Sequence, residues 1–556
     1  MAIHFPKNPS KKLTGKNPFI KTNKPTNLGY GAEPSEELKE AVVLHQKGLT
    51  LEAESLYRKV LSKEPDNFNA LHLLGVALCE QNKFAQAVEY ITLATQINSK
   101  SPLFYSNLGV AYRGLKLNRE ALQAFNTALL LNPQYPEALN NRGLCYAESG
   151  QLDKALKDYQ AAVQLDSNYA YAHNNLGLLY KEQHDWPAAL ASYDRAIALN
   201  QNYAEAHWNR SILNLLLGKY LEGFKEYEWR WKNKSSPIHL EHRSYSQPLW
   251  MGEELPGQTQ TTSTIFIYSE QGLGDTLQFC RYLNALKHRF KKVIFQCPAP
   301  LTSLISNSFP DVLVLKPGEE LPGFDCYCPL MSLPLSFALL KANTTDIRSS
   351  TDEISVSKFK NTRIDSAEVF NFEATPYLSI PQKSAHKWAN LLSEHINNVR
   401  GNDNLNRLKI GLLSRGNPNH PNDHLRSIEL KKLLTALPET HDYVCLQKDI
   451  TPDELNYLKQ HVANAYSFAQ RVGDFVDTAA ICSNLDLIIT VDTSVAHLCA
   501  ALGYKTWLLL PYTPDWRWGI DQTFSPWYPS MTLYRQGANR SWDEVLLRVG
   551  NALNGR

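Results

Sequence analysis

No run in this 556-residue sequence approaches the ~18 consecutive apolar residues that a membrane-spanning helix requires, so no membrane span is expected. Charge of one sign is also lacking: 57 basic against 55 acidic residues leave a net +2. Such a balance gives nucleic acid or an anionic membrane no electrostatic hold as the main partner. Nine cysteines are scattered through apolar stretches, and Cys326-x-Cys328 has no second Cys/His pair at zinc spacing. Buried free thiols in a reducing cytoplasm are the expectation. No Asp-x-Asp occurs, which removes the usual carboxylate pair that fixes a divalent metal on a diphosphate. Residues 1–33 lack the apolar stretch of a secretory signal and the Arg-rich pattern of a transit peptide. They carry Lys7, Lys11, Lys12, Lys16, Lys21 and Lys24 among Pro, Asn and Gly, and read as a disordered basic tail.

What is present first is a period. Gly75, Gly109, Gly143 and Gly177 are 34 residues apart, as are Ala53, Ala87, Ala121, Ala155 and Ala189. Tyr57, Ile91, Phe125, Tyr159, Tyr193 and Tyr227 keep a third register. Small residues let two antiparallel helices approach closely, and the large side chain fills the space beside them. The pattern resembles the tetratricopeptide repeat, with about six units over 34–231. One such unit cannot bury its apolar face alone, so stacking into a superhelix with a groove is expected. The last unit degenerates, with Ser211 at the glycine position and Gly223 at the alanine position. Asn107, Asn141, Asn175 and Asn209 recur two residues before the fixed glycine position. Their amides could hold the backbone of an extended polypeptide, which resembles the asparagine ladder of O-linked N-acetylglucosamine transferases. A purely structural helix-to-helix bond is the alternative.

Residues 232–263 read as a linker rich in Ser, Pro, Gln and Thr. Beyond it, apolar runs at 264–269, 292–297, 311–315, 408–413, 443–447, 485–491 and 505–510 alternate with helical stretches. That predicts parallel sheets covered on both faces, divided into lobes at 264–400 and 401–556. The expected fold class is therefore an all-α repeat superhelix followed by a pair of Rossmann-like, doubly wound lobes of the GT-B type.

Three motifs narrow the chemistry. Segment 270–282 (EQGLGDTLQFCRY) puts Gly272, Gly274 and Asp275 at a strand-to-helix turn, where backbone can approach an anionic ligand. Gly416, Asn417 and His420 follow the run 408–413, with Arg426 close behind. Asp492, Thr493, Ser494 and His497 follow the run 485–491, where Thr493 and Ser494 can cap a helix whose free N–H groups suit a diphosphate. With PYTPDWRWGID (511–521) and SPWYP (525–529), these segments closely resemble heptosyltransferase-like proteins fused to tetratricopeptide repeats, a layout shared with bacterial flagellin glycosyltransferases. One departure is Leu413-Ser414-Arg415, where family members often carry a Trp.

The resemblance implies a cytoplasmic glycosyltransferase. A nucleotide sugar would bind the second lobe and the acceptor would lie nearer the first. Asp275 is the candidate general base, with helix capping as its alternative. The donor side would comprise Gly416, Asn417, His420, Arg426, Gln447, Lys448, Asp492, Thr493, Ser494 and His497. Direct displacement would invert the anomeric carbon with no metal required. Trp516, Trp518, Trp527 and Tyr528 would stack on a base or sugar, or seal the lobe. The acceptor would be a polypeptide such as flagellin or another surface protein. A glycolipid or polysaccharide precursor, or a non-catalytic scaffold with a decayed transferase region, are the alternatives.

Overall fold

The computed structural model describes residues 34–255, 260–343, 376–400, 407–420 and 422–555. The basic tail 1–33 and the lobe division at 400/401 fall on or beside residues outside that set. The described chain divides into two compact units, one of residues up to 210 with 229–240, the other of 211–228 with 241–556.

The first unit is built from helix pairs: α1 (Glu36–Gln46) and α2 (Thr50–Lys63), α3 (Phe68–Glu80) and α4 (Phe84–Ile97), α5 (Pro102–Gly114) and α6 (Asn118–Leu131). Then follow α7 (Pro136–Glu148) and α8 (Leu152–Leu165), and α9 (Ala170–Glu182) and α10 (Trp186–Leu199). The repeated residues explain the pairing. A methyl group added at Gly143 would stand 2.6 Å from the Tyr159 ring, and one at Gly177 would stand 2.5 Å from Tyr193. Both rings are fully buried, as are Ala155 and Ala189. Only a missing side chain lets the ring of the second helix lie on the backbone of the first. The unit boundary falls inside α11 (Ala204–Leu216). Trp229 rejoins the first unit by stacking on His207, ring centroids 3.9 Å apart and 2° from parallel.

The second unit begins with residues 211–228, which include α12 (Tyr220–Tyr227). The sequence assigns this segment to the last repeat, yet its side chains pack with the sheet-bearing region. Phe224 meets Phe279 and Trp516 edge to face, Tyr227 Oη bonds the Gln271 amide, and Ser332 Oγ donates to Glu228 at 2.8 Å. Residues 241–255 are more than a connector. Trp250 is fully buried against Phe290 and Phe337, and its backbone N–H donates to the Tyr327 carbonyl at 2.8 Å.

Two all-parallel sheets follow. The first holds β1 (Thr264–Tyr268), β2 (Lys292–Gln296), β3 (Val312–Leu315) and β4 (Cys326–Pro329) in the order β3-β2-β1-β4. Its helices are α13 (Leu273–Phe279), α14 (Tyr282–Lys287), α15 (Ala299–Ser308) and α16 (Leu333–Asn343). A break at Cys280–Arg281 separates α13 from α14.

After α17 (Gln382–Arg400) comes the second sheet: β5 (Lys409–Leu413), β6 (Asp442–Cys445), β7 (Ala465–Ser467), β8 (Leu487–Val491), β9 (Thr506–Leu510) and β10 (Met531–Arg535), ordered β10-β9-β8-β5-β6-β7. Between these strands lie α18 (Asp423–Arg426), α19 (Leu430–Thr435), α20 (Pro452–His461), α21 (Phe475–Cys482) and α22 (Ser494–Ala501), and α23 (Trp542–Asn554) closes the chain. Helix α17 precedes residue 400, yet Trp388, Leu392 and Ile396 pack with Leu413, Val444 and Ile488 of this second sheet. Strand order reverses between β1 and β4 in one sheet and between β5 and β8 in the other. Ligands of doubly wound sheets bind outside the carboxyl ends of strands at such reversals. The turns after β1, β5 and β8 are those carrying the three sequence motifs.

Candidate functional site

The turn after β1 is held in a strained form. Gln271 has φ 67°, a conformation uncommon for a residue with a side chain. Its N–H donates to Glu241 at 2.6 Å and its amide exchanges bonds with Tyr227. The next residue, Gly272, opens α13, and its N–H donates to Asp275 Oδ2 at 2.8 Å. The helix-capping role weighed for Asp275 is therefore present in the geometry. The other oxygen, Oδ1, pairs with Arg517 Nη2.

Helix α13 lies against α22. A methyl group at Gly274 would sit 3.0 Å from His497 Cδ2 and 3.7 Å from Ser494 Cα. Gly274 thus lies directly against Ser494 and His497 within the second unit, with Gly272 and Asp275 in the same turn. Thr493 is the N-cap of α22 without a side-chain cap bond; its hydroxyl turns to Thr490 at 3.5 Å. The side-chain capping expected there is not made, because this hydroxyl turns back toward β8.

Arg517 ties α13 to the 511–521 segment. Besides Asp275 it binds Asp515 at 2.9 Å, and its Nε donates to Gln278. Burial opposes its charge, and Asp515 and Asp275 more than offset that, holding the guanidinium firmly protonated. Asp492 is only partly accessible and crowded by protein. Burial first and the Asp515 carboxylate second push its carboxyl up to about 6, against the pull of Arg426 and Arg517. His497, 5% exposed, is held well below the usual imidazole range by burial, then by Arg517, Arg281 and Arg426, and is neutral. Arg426 pairs with Asp423 at 3.3 Å. Any side chain at Gly416 would collide with that pair: an added methyl would meet Asp423 Oδ1 at 2.5 Å and Arg426 Nη2 at 2.6 Å.

His420 lies at the surface, lowered by partial desolvation and then by Arg426, and within electrostatic reach of Asp515 and Asp275. Asn417 is exposed, and its Oδ1 accepts from Asn419 N–H at 3.0 Å. Gln447 Nε2 donates to Asp449 at 2.5 Å while its buried Oε1 has no partner among the described residues, and Lys448 Nζ donates to the Gly473 carbonyl at 2.7 Å. At the departure from the family pattern, Ser414 is buried and Arg415 pairs with Asp449 and Glu454 at 3.0 and 3.1 Å. Trp516, Trp518, Trp527 and Tyr528 are 0–4% exposed. The sealing role is the one their packing supports.

In the repeat unit three of the four register asparagines bond between helices, whereas Asn141 Oδ1 has only Asn140 of its own helix at 3.5 Å and its buried Nδ2 has no partner among the described residues. Asn175 donates to Asn140 at 2.8 Å, Asn209 to Asn174 at 2.9 Å, and Asn107 Nδ2 lies 2.8 Å from His72 Nε2. Burial pushes His72 down to about 3, so its Nε2 is a neutral acceptor for that amide. Asn107, Asn141 and Asn175 are 3%, 0% and 4% exposed. The geometry supports the helix-to-helix role over an open ladder: first helices of adjacent pairs lie side by side, and these amides sit on their seam. Sequence reasoning did not find Arg517, Arg281 or Tyr377. Arg517 stands inside a quoted motif, but its partner is 242 residues away.

Five tetratricopeptide-repeat families match the chain, at residues 44–108, 103–135, 124–157, 144–184 and 170–203. No curated protein matches. Among solved structures, a thermophilic tetratricopeptide-repeat protein of Thermus thermophilus is 24% identical, covering 32% of this chain and 97% of its own, TM-score 0.30. A tetratricopeptide-repeat protein of Parabacteroides merdae is 23% identical, covering 36% and 80%, TM-score 0.31. MamA of Desulfovibrio magneticus is 20% identical, covering 30% and 98%, TM-score 0.27. Residues 44–203 are tetratricopeptide repeats, followed by a region of parallel sheets and helices.

Proposed function

We propose that the chain is a glycosyltransferase of GT-B type, moving a sugar from a nucleotide-sugar donor to a polypeptide recruited by its repeats. One observation carries the reading. The Gly272–Asp275 turn packs on the start of α22, both at strand-order reversals, with Arg426 and Arg517 beside them. Cations and free helix N–H groups are what a departing diphosphate needs when no carboxylate-held metal serves it. In the reaction the acceptor oxygen bonds to the anomeric carbon and its proton passes to Asp275. The bond to the diphosphate breaks with its electron pair on the leaving oxygen. The repeats suggest a protein or peptide partner, as such arrays commonly provide.

A thermal-shift panel of nucleotide sugars on the full chain tests this, since a ligand of the folded state raises its melting temperature. At least one donor is expected to raise it, and His497→Ala to reduce the rise. With that donor, Asp275→Asn should cut transfer by at least ~100-fold. A second reading, a scaffold with an inactive transferase region, draws on the engagement of Asp275 by both Gly272 and Arg517. It gains if no nucleotide sugar shifts the melt.

A further inference from the structure

His497 uses one of its two ring nitrogens inside the protein. Nδ1 lies 2.9 Å from Tyr528 Oη, while Nε2 has no hydrogen-bond partner among the described residues and faces Gly274. Turning the ring over would put Cδ2 against the phenol and forfeit the bond, so this orientation is the bonded one. The Trp518 ring, 5.2 Å away and 27° from parallel, holds the imidazole plane.

Which partner gives the proton follows from the groups behind Tyr528. Tyr377 Oη has one hydrogen, which goes to its near acceptor, the Leu277 carbonyl at 2.9 Å, and its lone pair receives Arg281 Nη2 at 3.1 Å. The Tyr528 hydroxyl then has two outlets for its own proton, Tyr377 Oη at 3.4 Å or His497 Nδ1 at 2.9 Å. Hydroxyl donors bond at about 2.5–3.0 Å to oxygen, so 3.4 Å is too long and the imidazole takes it. Burial keeps the phenol protonated. The Arg281 guanidinium, 4.9 Å from the centre of the Tyr528 ring, polarises its O–H toward donation.

We propose that Tyr528, set by Arg281 and Tyr377, locks His497 as the neutral Nε2–H tautomer, a fixed hydrogen-bond donor aimed at an anionic oxygen of the diphosphate class beside Gly274 and Ser494. The ligand rests on the transferase reading; the tautomer does not. His497 then moves no proton in the reaction, and Tyr528 is its positioning residue. The charged and titratable groups facing the imidazole are Arg281, Arg426, Arg517 and Tyr528.

The test uses the full chain labelled with 15N-histidine and read by long-range 1H–15N correlation between about pH 6 and 8, with His497→Gln identifying the signal. A protonated Nε2 and bare Nδ1 throughout, giving way to mixed tautomers or titration in Tyr528→Phe, supports the proposal. An Nδ1–H or cationic ring in the wild type, or an unchanged signal in Tyr528→Phe, overturns it. Inorganic pyrophosphate then probes the site by calorimetry. His497→Gln keeps a donor amide and should bind within about 3-fold of wild type, whereas His497→Ala should bind roughly 10-fold more weakly. Tyr528→Phe should weaken binding alone but not when combined with His497→Gln. Equal losses in both backgrounds overturn the positioning role. A wild type that shows the tautomer yet binds no pyrophosphate overturns the ligand class and leaves the tautomer standing.

Discussion

Arg517 ties together Asp275, Gln278 and Asp515, a role no residue singled out from sequence fills. Its side chain is 8% exposed and faces two carboxylates, Asp275 and Asp515. Replacing it with Met leaves both without their shared cation in a low-dielectric setting, and should cost on the order of 3–5 kcal/mol in urea unfolding. Asp492 offers a separate measurement. Its folded value near 6 lies above the ordinary 3.8, so the folded state holds that proton more tightly than the unfolded chain. The resulting stability is complete below about pH 3.8 and is lost as pH rises through about 6. Comparing wild type with Asp492→Asn from about pH 4 to 7 should show the substitution removing that downward slope, by up to about 3 kcal/mol. No spacing rule reveals either effect, since both depend on groups brought together from different loops.

At the scale of elements, what was readable is what is local. The 34-residue period is legible because each helix pair is specified by residues within its own unit, and Gly143 and Gly177 do in the structure what their spacing implies. Seven strands were legible as apolar runs, and the three missed, β4, β7 and β10, are all sheet edges. Their signal is weak because they are short or partly exposed: β4, though fully buried, has four residues and ends in Pro329, β7 has three residues, and β10 alternates in burial only at its start. The asparagine register was legible as a period but not as a role. Asn175→Ala should leave Asn140 without its partner and cost about 1–3 kcal/mol. Urea unfolding of wild type and variant checks that loss.

At the scale of the molecule, the boundary between the units is not where the repeat period ends. Residues 211–228 belong by packing with 241–556. A fragment beginning at 211 should therefore keep the melting-temperature response to a nucleotide sugar. One beginning at 241 lacks Phe224, Tyr227 and Glu228, which touch Phe279, Trp516, Gln271 and Ser332. Losing one buried aromatic costs about 3–5 kcal/mol, so its melt should fall by on the order of 5–10 °C. Equal melting of the two fragments would return the segment to the repeats.

The amino-acid order alone determined the repeat array, the alternation of apolar strands with helices, and the glycine-bearing turns, because each depends on near neighbours along the chain. Tertiary structure decided the rest. Asp275 meets Arg517 across 242 positions and His497 meets Tyr528 across 31, and whether a carboxylate or an imidazole is charged depends on which buried groups the fold sets around it.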